Sequence, residues 1–451
     1  MKFFNFLVLV IFISKYSLAE SILSPDFISA LSDAYIYNPK LNQERSLLHK
    51  FDELMPQAIS EFRPKIEGFY NKGKIDTAIS GSNFIQDGVR TDTSKGINIT
   101  QQIFNGGSTL SKINEAKNKI ISQRYKLKKT EQDVLMSVVR VYSKLTSEKS
   151  KLKLRKKNVE FLKKNFDQIS NQFEIGDLTL TDVSIAKSRL LLGESDLIKT
   201  KSNIKAINQE YKSIIGTSPV NPILFFDFPK FKLNLDEIIN YSVNKNPDIL
   251  ATSFSIKAIE KNLSALKRQK LPSIEIEGQL RKDSGYFKSD SEREVMSAFA
   301  NIDFPIYQSG NASSKIRETR KLLESDKELL KSKINDLKFL VVDSWSIYES
   351  ALLKIKAYQE QINANTKFLE GLNQELFLGE RTVLEVLDGE QELVESELNL
   401  VVANEEYFNS YFMILSHMGK LNARYLKLPV ENFDPIKNYK NIRFKWIDLI
   451  E

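Results

Sequence analysis

Apolar residues recur at every seventh position through two long stretches of this chain. In the first, Val138, Leu145, Leu152, Val159, Phe166 and Phe173 keep the interval, and Val134, Val141, Leu162 and Ile169 supply a companion seam that Glu148 and Arg155 interrupt. In the second, Val341, Tyr348, Ile355, Ile362, Leu369 and Leu376 do the same. A strict seven-residue repeat predicts long helices that supercoil left-handedly against neighbouring helices. The prolines agree: none lies between Pro64 and Pro219, nor between Pro305 and Pro429, and proline breaks helix interiors and central strands alike. Residues 108–175 contain neither glycine nor proline. At the α-helical rise such a segment makes a rod of roughly 100 Å, longer than any compact domain this chain could form.

Elsewhere the period is two. Within Ser273–Arg281, Ile274, Ile276, Gly278 and Leu280 alternate with Glu275, Glu277, Gln279 and Arg281. Ala298, Ala300, Ile302, Phe304 and Ile306 alternate with mostly polar neighbours, and Ile97, Ile99 and Ile103 with Asn98, Thr100 and Gln102. One apolar and one polar face fits a soluble hairpin packed on the helices, and equally a membrane barrel with a wet interior. Four strands cannot close a barrel, and an open sheet edge cannot face lipid. The membrane reading therefore requires several chains to contribute strands.

The two stretches belong to a duplication. Asn38-Pro39 recurs as Asn246-Pro247 and Pro64 as Pro272, both 208 positions on; thereafter the offset is 203, from Gly107 to Gly310 and from Ser111-Lys112-Ile113 to Ser314-Lys315-Ile316. Gly176, Thr179, Asp182 and Val183 match Gly379, Thr382, Glu385 and Val386. Since 203 is a multiple of seven, both seams share one heptad phase, and the change of offset places a longer loop between residues 68 and 98. The order read is a first repeat at 20–216 with strands at about 62–104 and a helical hairpin at 108–216, then a linker at 217–233. A second repeat follows at 234–420, with strands at about 272–308 and a hairpin at 310–420, and a C-terminal segment at 421–451. Gly176 and Gly379 end the long helices as left-handed caps. Thr179 or Thr181, and Thr382, are placed to cap the returning helices. Asn38-Pro39 and Asn246-Pro247 mark breaks in the leading helices.

Met1-Lys2 precedes an apolar run from Phe3 to Ile13, and Ser17-Leu18-Ala19 offers a small-residue cleavage site before Glu20. Residues 1–19 read as a secretory signal peptide, too short to span a bilayer as a helix. There is no cysteine, which removes disulfides, thiol chemistry and acylation at the new N-terminus. The net charge of +7 is weak evidence for nucleic acid, and export argues against that partner. Eight basic residues crowd Lys149–Lys164; a solvated helix face accounts for them, and contact with an acidic partner is the sharper alternative. His49 and His417 have no ligand-spaced companions. No nucleophile–base set, phosphate loop or metal constellation is visible, so neither an enzyme nor a cofactor is expected.

The combination of signal peptide, duplicated strand pairs and duplicated helical hairpins resembles the TolC family of outer-membrane efflux channels. The most specific stretch is Leu378-Gly379-Glu380-Arg381-Thr382-Val383-Leu384-Glu385-Val386-Leu387-Asp388, which is similar to that family's tip motif. Phe304-Pro305-Ile306-Tyr307-Gln308-Ser309-Gly310, with Ile103-Phe104-Asn105-Gly106-Gly107 as its first-half counterpart, resembles the family's passage from strand to helix. The resemblance implies a mixed α+β membrane protein: a homotrimer whose chains each give four strands to a 12-stranded β-barrel in outer-membrane lipid and long helical hairpins to a periplasmic α-barrel. It implies a passive exit duct for efflux or type I secretion, docked to a periplasmic adaptor and an inner-membrane pump of ABC or RND type.

The same resemblance makes the tips Gly176, Thr179, Gly379 and Thr382 the adaptor-docking end, and Thr181, Asp182 and Arg381 a clasp holding neighbouring coils closed. Leu376 stands where the family's best-known tip has a tyrosine, so that tyrosine's hydrogen bond is absent. Glu385 and Asp388 are three apart on a helix; three copies would set two carboxylate rings that favour cations. A solvated acidic face is the plainer reading of that pair. The rival functions are a periplasmic adaptor, which normally has one hairpin and an inner-membrane anchor, and a structural coiled coil of the envelope.

Overall fold

The computed structural model describes residues 23–78, 85, 87–219, 228–229 and 231–446. The expected signal peptide, much of the 217–233 linker and most of the turn after the first strand lie outside the described residues. The first half runs α1 (Pro25–Tyr37), α2 (Pro39–Asp52), α3 (Leu54–Ser60), β1 (Lys65–Thr77), β2 (Gly88–Asn105), α4 (Ser108–Glu174) and α5 (Leu180–Ile215). The second runs α6 (Leu235–Lys245), α7 (Pro247–Arg268), β3 (Ser273–Ser284), β4 (Glu292–Asp303), α8 (Asn311–Phe377) and α9 (Val383–His417), before a short α10 (Lys437–Ile442). The two long helices, α4 and α8, have 67 residues each.

The leading helices break where an asparagine precedes a proline. Asn38 Oδ1 accepts from the N–H groups of Lys40 (3.0 Å) and Leu41 (3.4 Å), and Asn246 Oδ1 from those of Asp248 (2.9 Å) and Ile249 (3.4 Å). Each asparagine is thus an N-cap with proline at the first helical position, where its missing N–H costs nothing.

The four strands form one antiparallel sheet in the order β1-β2-β3-β4. Ile66 lies opposite Ile99, Ile97 opposite Leu280 and Leu280 opposite Met296. Cross-strand partners share a face, so these residues form one apolar surface, and all of them are exposed, Met296 by 86%. The opposite face carries the ion pair of Lys65 with Glu67 (2.6 Å) and the hydrogen bond from Gln279 Nε2 to Asn98 Oδ1 (2.9 Å). One sequence expectation shifts here: β4 begins at Glu292 and ends at Asp303, so Phe304 and Ile306 lie beyond it. Pro305 has no N–H to give a ladder, and the chain then turns through Ser309 and Gly310, both with positive φ, into α8.

The chain divides into two compact units, through both of which α4 and α8 pass. One comprises Met1–Asp33, Val138–Lys232 and Ala351–Asn409. In it Phe27 is buried against Tyr142 (4.8 Å between ring centroids) and Phe408 (5.3 Å). The charges that interrupt the α4 seam prove to have partners on α5. Glu148 accepts from Asn203 (3.3 Å), Arg155 pairs with Asp196 (2.8 Å), and Lys144 meets Glu210 (3.3 Å). Asp196, Asn203 and Glu210 are themselves seven apart, so a polar ladder runs beside the apolar one.

The other unit comprises Ala34–Ser137, Leu233–Ser350 and Ser410–Glu451, and includes the sheet. Its irregular C-terminal segment is tied down by specific bonds. Ala423 N–H donates to Glu131 (2.8 Å), Phe433 N–H to the Tyr35 hydroxyl (3.0 Å), and Asn438 to Asp52 (3.0 Å). Burial raises the pKa values of the Glu131 and Asp52 carboxyls. Asn246 adds a bond from Nδ2 to the His417 carbonyl (3.0 Å) and is buried. Losing a cap costs about 1 kcal/mol, and a buried carbonyl left unpaired about 1–3 kcal/mol more. Asn246→Ala should therefore lower the thermal denaturation midpoint more than Asn38→Ala; equal shifts would remove the His417 bond from the account.

Candidate functional site: the helical hairpin tips

Both hairpins turn by the same backbone device. At the end of α4, Gly176 has φ +90°, its N–H donates to Phe173 O (3.0 Å), and Asp177 N–H donates to Gln172 O (2.9 Å). At the end of α8, Gly379 has φ +78°, with Gly379 N–H to Leu376 O (3.0 Å) and Glu380 N–H to Glu375 O (2.9 Å). These are Schellman caps, which need a left-handed residue and so favour glycine. Open space surrounds the position of a Cβ at both glycines, so the backbone angle alone selects the residue.

The returning helices begin with capping boxes. Thr179 Oγ1 accepts from Asp182 N–H (3.3 Å), while Asp182 Oδ2 accepts from Thr179 N–H (3.0 Å) and its hydroxyl (2.7 Å). Thr382 Oγ1 accepts from Glu385 N–H (3.3 Å), while Glu385 Oε2 accepts from Thr382 N–H (2.9 Å) and its hydroxyl (2.9 Å). Each box satisfies helix N-terminal donors that would otherwise lack partners. Thr179 is thus the N-cap, and Thr181 lies exposed in the first turn of α5. The bonds to Thr179 lower the Asp182 pKa. The Thr382 N–H, then Arg381, then the Thr382 hydroxyl hold Glu385 down at about 2.

The second tip adds an ionic triad. Arg381 Nε donates to Glu375 Oε2 (2.7 Å) and Nη1 to Glu385 Oε1 (2.8 Å). Within one chain Arg381 is therefore tied to its own hairpin, and Asp182 to Thr179; the two are not paired with each other. Asp388 is also engaged: Arg189 Nη2 on α5 donates to its Oδ1 (2.7 Å), and Nη1 donates to Gln391 Oε1. Glu385 and Asp388 do not stand together as two free carboxylates on one face. Glu385 turns back to the helix start and Asp388 reaches across to α5, each with an arginine beside it.

Beneath the polar tips lies an apolar plug. Leu162 and Ile169 of α4, Ala186 of α5 and Val383 and Leu387 of α9 are buried together, and Leu369 and Leu372 of α8 bury Val386. Leu376 packs against both groups, which gives the residue in the tyrosine's place a packing role. Glycines set the spacing: a Cβ at Gly193 would lie 2.9 Å from Leu162 Cδ1, and one at Gly389 2.8 Å from Leu372 Cδ1. Glu375 and Arg189 were not picked out from the sequence, and Gln391 stands out there only within Glu390-Gln391-Glu392-Leu393, which resembles the continuation of the family's tip motif and assigns it no contact. Arg189 nevertheless extends the polar seven-residue stripe of Asp182, Asp196, Asn203 and Glu210, and that stripe was the available signal.

The sequence model described as "Outer membrane efflux protein" matches residues 30–217 and 238–419. The outer membrane efflux protein BepC of Brucella suis is 26% identical over 433 residues, covering 95% of this chain and 93% of that protein. The outer membrane protein TolC of Vibrio cholerae is 20% identical over 382 residues, covering 79% and 81%. Among solved structures, the Vibrio cholerae outer membrane protein VceC superposes with a TM-score of 0.79 at 13% identity, over 87% of this chain and 96% of that one.

The Arg189–Asp388 pair is partly exposed, where ion pairs contribute about 0.2–1 kcal/mol. A double-mutant cycle on Arg189→Ala and Asp388→Ala, read from thermal stability, should give a coupling in that range, and about 1 M salt should erase it. Strict additivity at low salt would show that the contact contributes nothing.

Proposed function

The chain belongs to the outer membrane efflux protein family, and on that premise we propose that its helical tips form the periplasmic gate of a trimeric channel. Proteins of this family are channels of the outer membrane with a periplasmic extension, form trimers and work with adaptor and pump partners. This chain is an outer-membrane exit duct for efflux or type I secretion.

The observation that carries the proposed assembly is the sheet. Ile66, Ile97, Ile99, Leu280 and Met296 make an exposed apolar face, and β1 and β4 are both sheet edges within one chain. In hydrocarbon an open edge would strand backbone N–H and C=O groups at several kcal/mol each. Joining β4 of one copy to β1 of the next removes both edges, and three copies give twelve strands. The apolar face then meets lipid and the polar face lines water.

The hairpin ends at Gly176, Thr179, Gly379 and Thr382 are the surface offered to a periplasmic adaptor, which an ABC- or RND-type pump would accompany. Thr181, Asp182 and Arg381 remain the residues assigned to the clasp between coils. Arg381 has Glu375 and Glu385 as partners within its own hairpin, so an adaptor that opens the mouth must compete with two charge-assisted bonds. Exposed contacts of this kind are individually weak, and a docking protein can overcome them. The entrance rings of Glu385 and Asp388 carry a compensating Arg381 and Arg189 beside them, which moderates their field.

Single-channel recording in planar bilayers tests this. Asp182→Ala with Arg381→Ser should raise conductance, and unchanged conductance with unchanged closed lifetimes would remove both residues from the gate. Arg381→Ser alone should increase cation preference by uncovering Glu375 and Glu385, whereas Glu385→Gln with Asp388→Asn should reduce it. A reversal potential indifferent to all three changes would sink the rings.

A further inference from the structure

A cavity of about 320 Å³ lies among α4, α5 and α9, and Glu390 of α9 is on its wall with Asn158, Leu162, Gly193 and Val394. Glu390 is only 9% exposed. Among the described residues its carboxyl takes part in no hydrogen bond or ion pair. The cations that could have answered it are committed elsewhere. On α4, Arg155 is bound to Asp196 of α5 (2.8 Å). On α5, Arg189 is bound to Asp388 (2.7 Å) and to Gln391. On α9 itself Glu395 is exposed, and Glu397, seven residues on, is half-buried. Lys157 of α4 acts on Glu397. The α8 helix meets α9 through Leu369 and Leu372, and through Asn365, which donates to Glu392 O (3.2 Å). Glu390 is therefore a largely buried carboxyl between two hairpins, and the two arginines that share its cavity wall, Arg155 and Arg189, are each bound to another acid.

We propose that Glu390 is a proton-operated latch: with a proton on its carboxyl α9 stays packed against α4 and α5, and loss of that proton loosens this seam at the mouth of the duct. The proposal deepens the gate reading and rests on it. A neutral carboxyl is tolerated in a small polar cavity and can donate to an acceptor such as the Asn158 side chain. An ionised one has no protein partner in this largely buried position, and the unfavourable charge is relieved by parting the helices and solvating it more fully.

Burial first, and the negative charge of Glu397 second, raise the Glu390 pKa from 4.5 to about 7. The packed seam thus binds a proton that an opened, solvated Glu390 would not. Its contribution is complete below the ordinary carboxyl value and disappears as pH rises through about 7. Glu385 is held at about 2 and the half-buried His417 at about 4, so neither changes charge in that interval.

The test is peptide-resolved hydrogen exchange of the full-length protein in detergent at about pH 5.5 and about pH 8.5, corrected for intrinsic rates. The wild-type segment 386–398 should exchange at least about tenfold faster at the higher pH, the factor that one pKa unit supplies. Glu390→Gln, uncharged and able to donate, should stay slow at both. Glu397→Gln should keep the dependence and move its midpoint to lower pH. A pH-independent wild type, or a dependence that survives in Glu390→Gln, would overturn the latch. Conductance of the same preparations separates the two ideas. Channels that conduct with a pH-independent seam overturn the latch alone. A responsive seam in protein that forms no channel overturns the duct reading, and the latch's place at its mouth with it.

Discussion

A helix of 67 residues cannot keep one stripe buried against straight neighbours if its apolar residues recur every seven positions, because an ideal α-helix drifts about 20° per heptad from that period. The stripe must be met along its whole length by other helices that follow it. In this chain α5 and α9 return along α4 and α8, and the match extends to charge. Asp182, Arg189, Asp196, Asn203 and Glu210 repeat every seven residues on α5. Two of the partners of this stripe, Arg155 and Glu148, are the residues that break the apolar seam of α4. The polar interruptions therefore carry register information. A hydrophobic seam alone tolerates a slip of one heptad, whereas a slipped ladder would set Asp196 against Glu148 and Arg189 against Arg155 in one direction, or Glu210 against Glu148 in the other.

The strand pairs and the hairpin tips of each repeat are held by different physics. The sheet presents an apolar face and two unpaired edges, which no single chain can satisfy in lipid. The tips are held by caps, exposed ion pairs and a small apolar plug. The interactions at the sheet are costly to break and those at the tips are individually weak. On the proposed assembly, a duct that stays in its membrane while its tips open would need that division, and the sequence supplies it in both repeats.

The long helices, the strand pairs and the glycine turns were legible because each is a local pattern: a period of seven, a period of two, a glycine followed three residues later by threonine. What escaped the sequence depends on distance or on turning a corner. Arg189 and Asp388 belong to different copies and meet only when the hairpins pack. Glu375 reaches Arg381 across the turn, a separation of six that no helix rule links. The spacing of Glu385 from Asp388 reads as two carboxylates on one helix face, yet capping donors draw Glu385 back to the helix start. The burial of Glu390 escapes as well, since a glutamate in an amphipathic helix reads as solvated. The end of β4 was overrun because alternation continues through Phe304 and Ile306, while the ladder stops before Pro305 for want of an N–H.

The two tips share a backbone and not a chemistry. At the common offset, Arg381 corresponds to Leu178, Glu375 to Gln172, Asp388 to Ile185 and Glu390 to Lys187. Leu178 packs into the apolar plug where its counterpart makes two ion pairs. The first hairpin is therefore fixed at its tip by burial, which neither salt nor modest pH change weakens. The second is fixed by charges, which salt weakens. The tip of the first hairpin is thus the inert one and that of the second the responsive one. The seam between them is where Arg189 crosses to Asp388 and where Glu390 is enclosed.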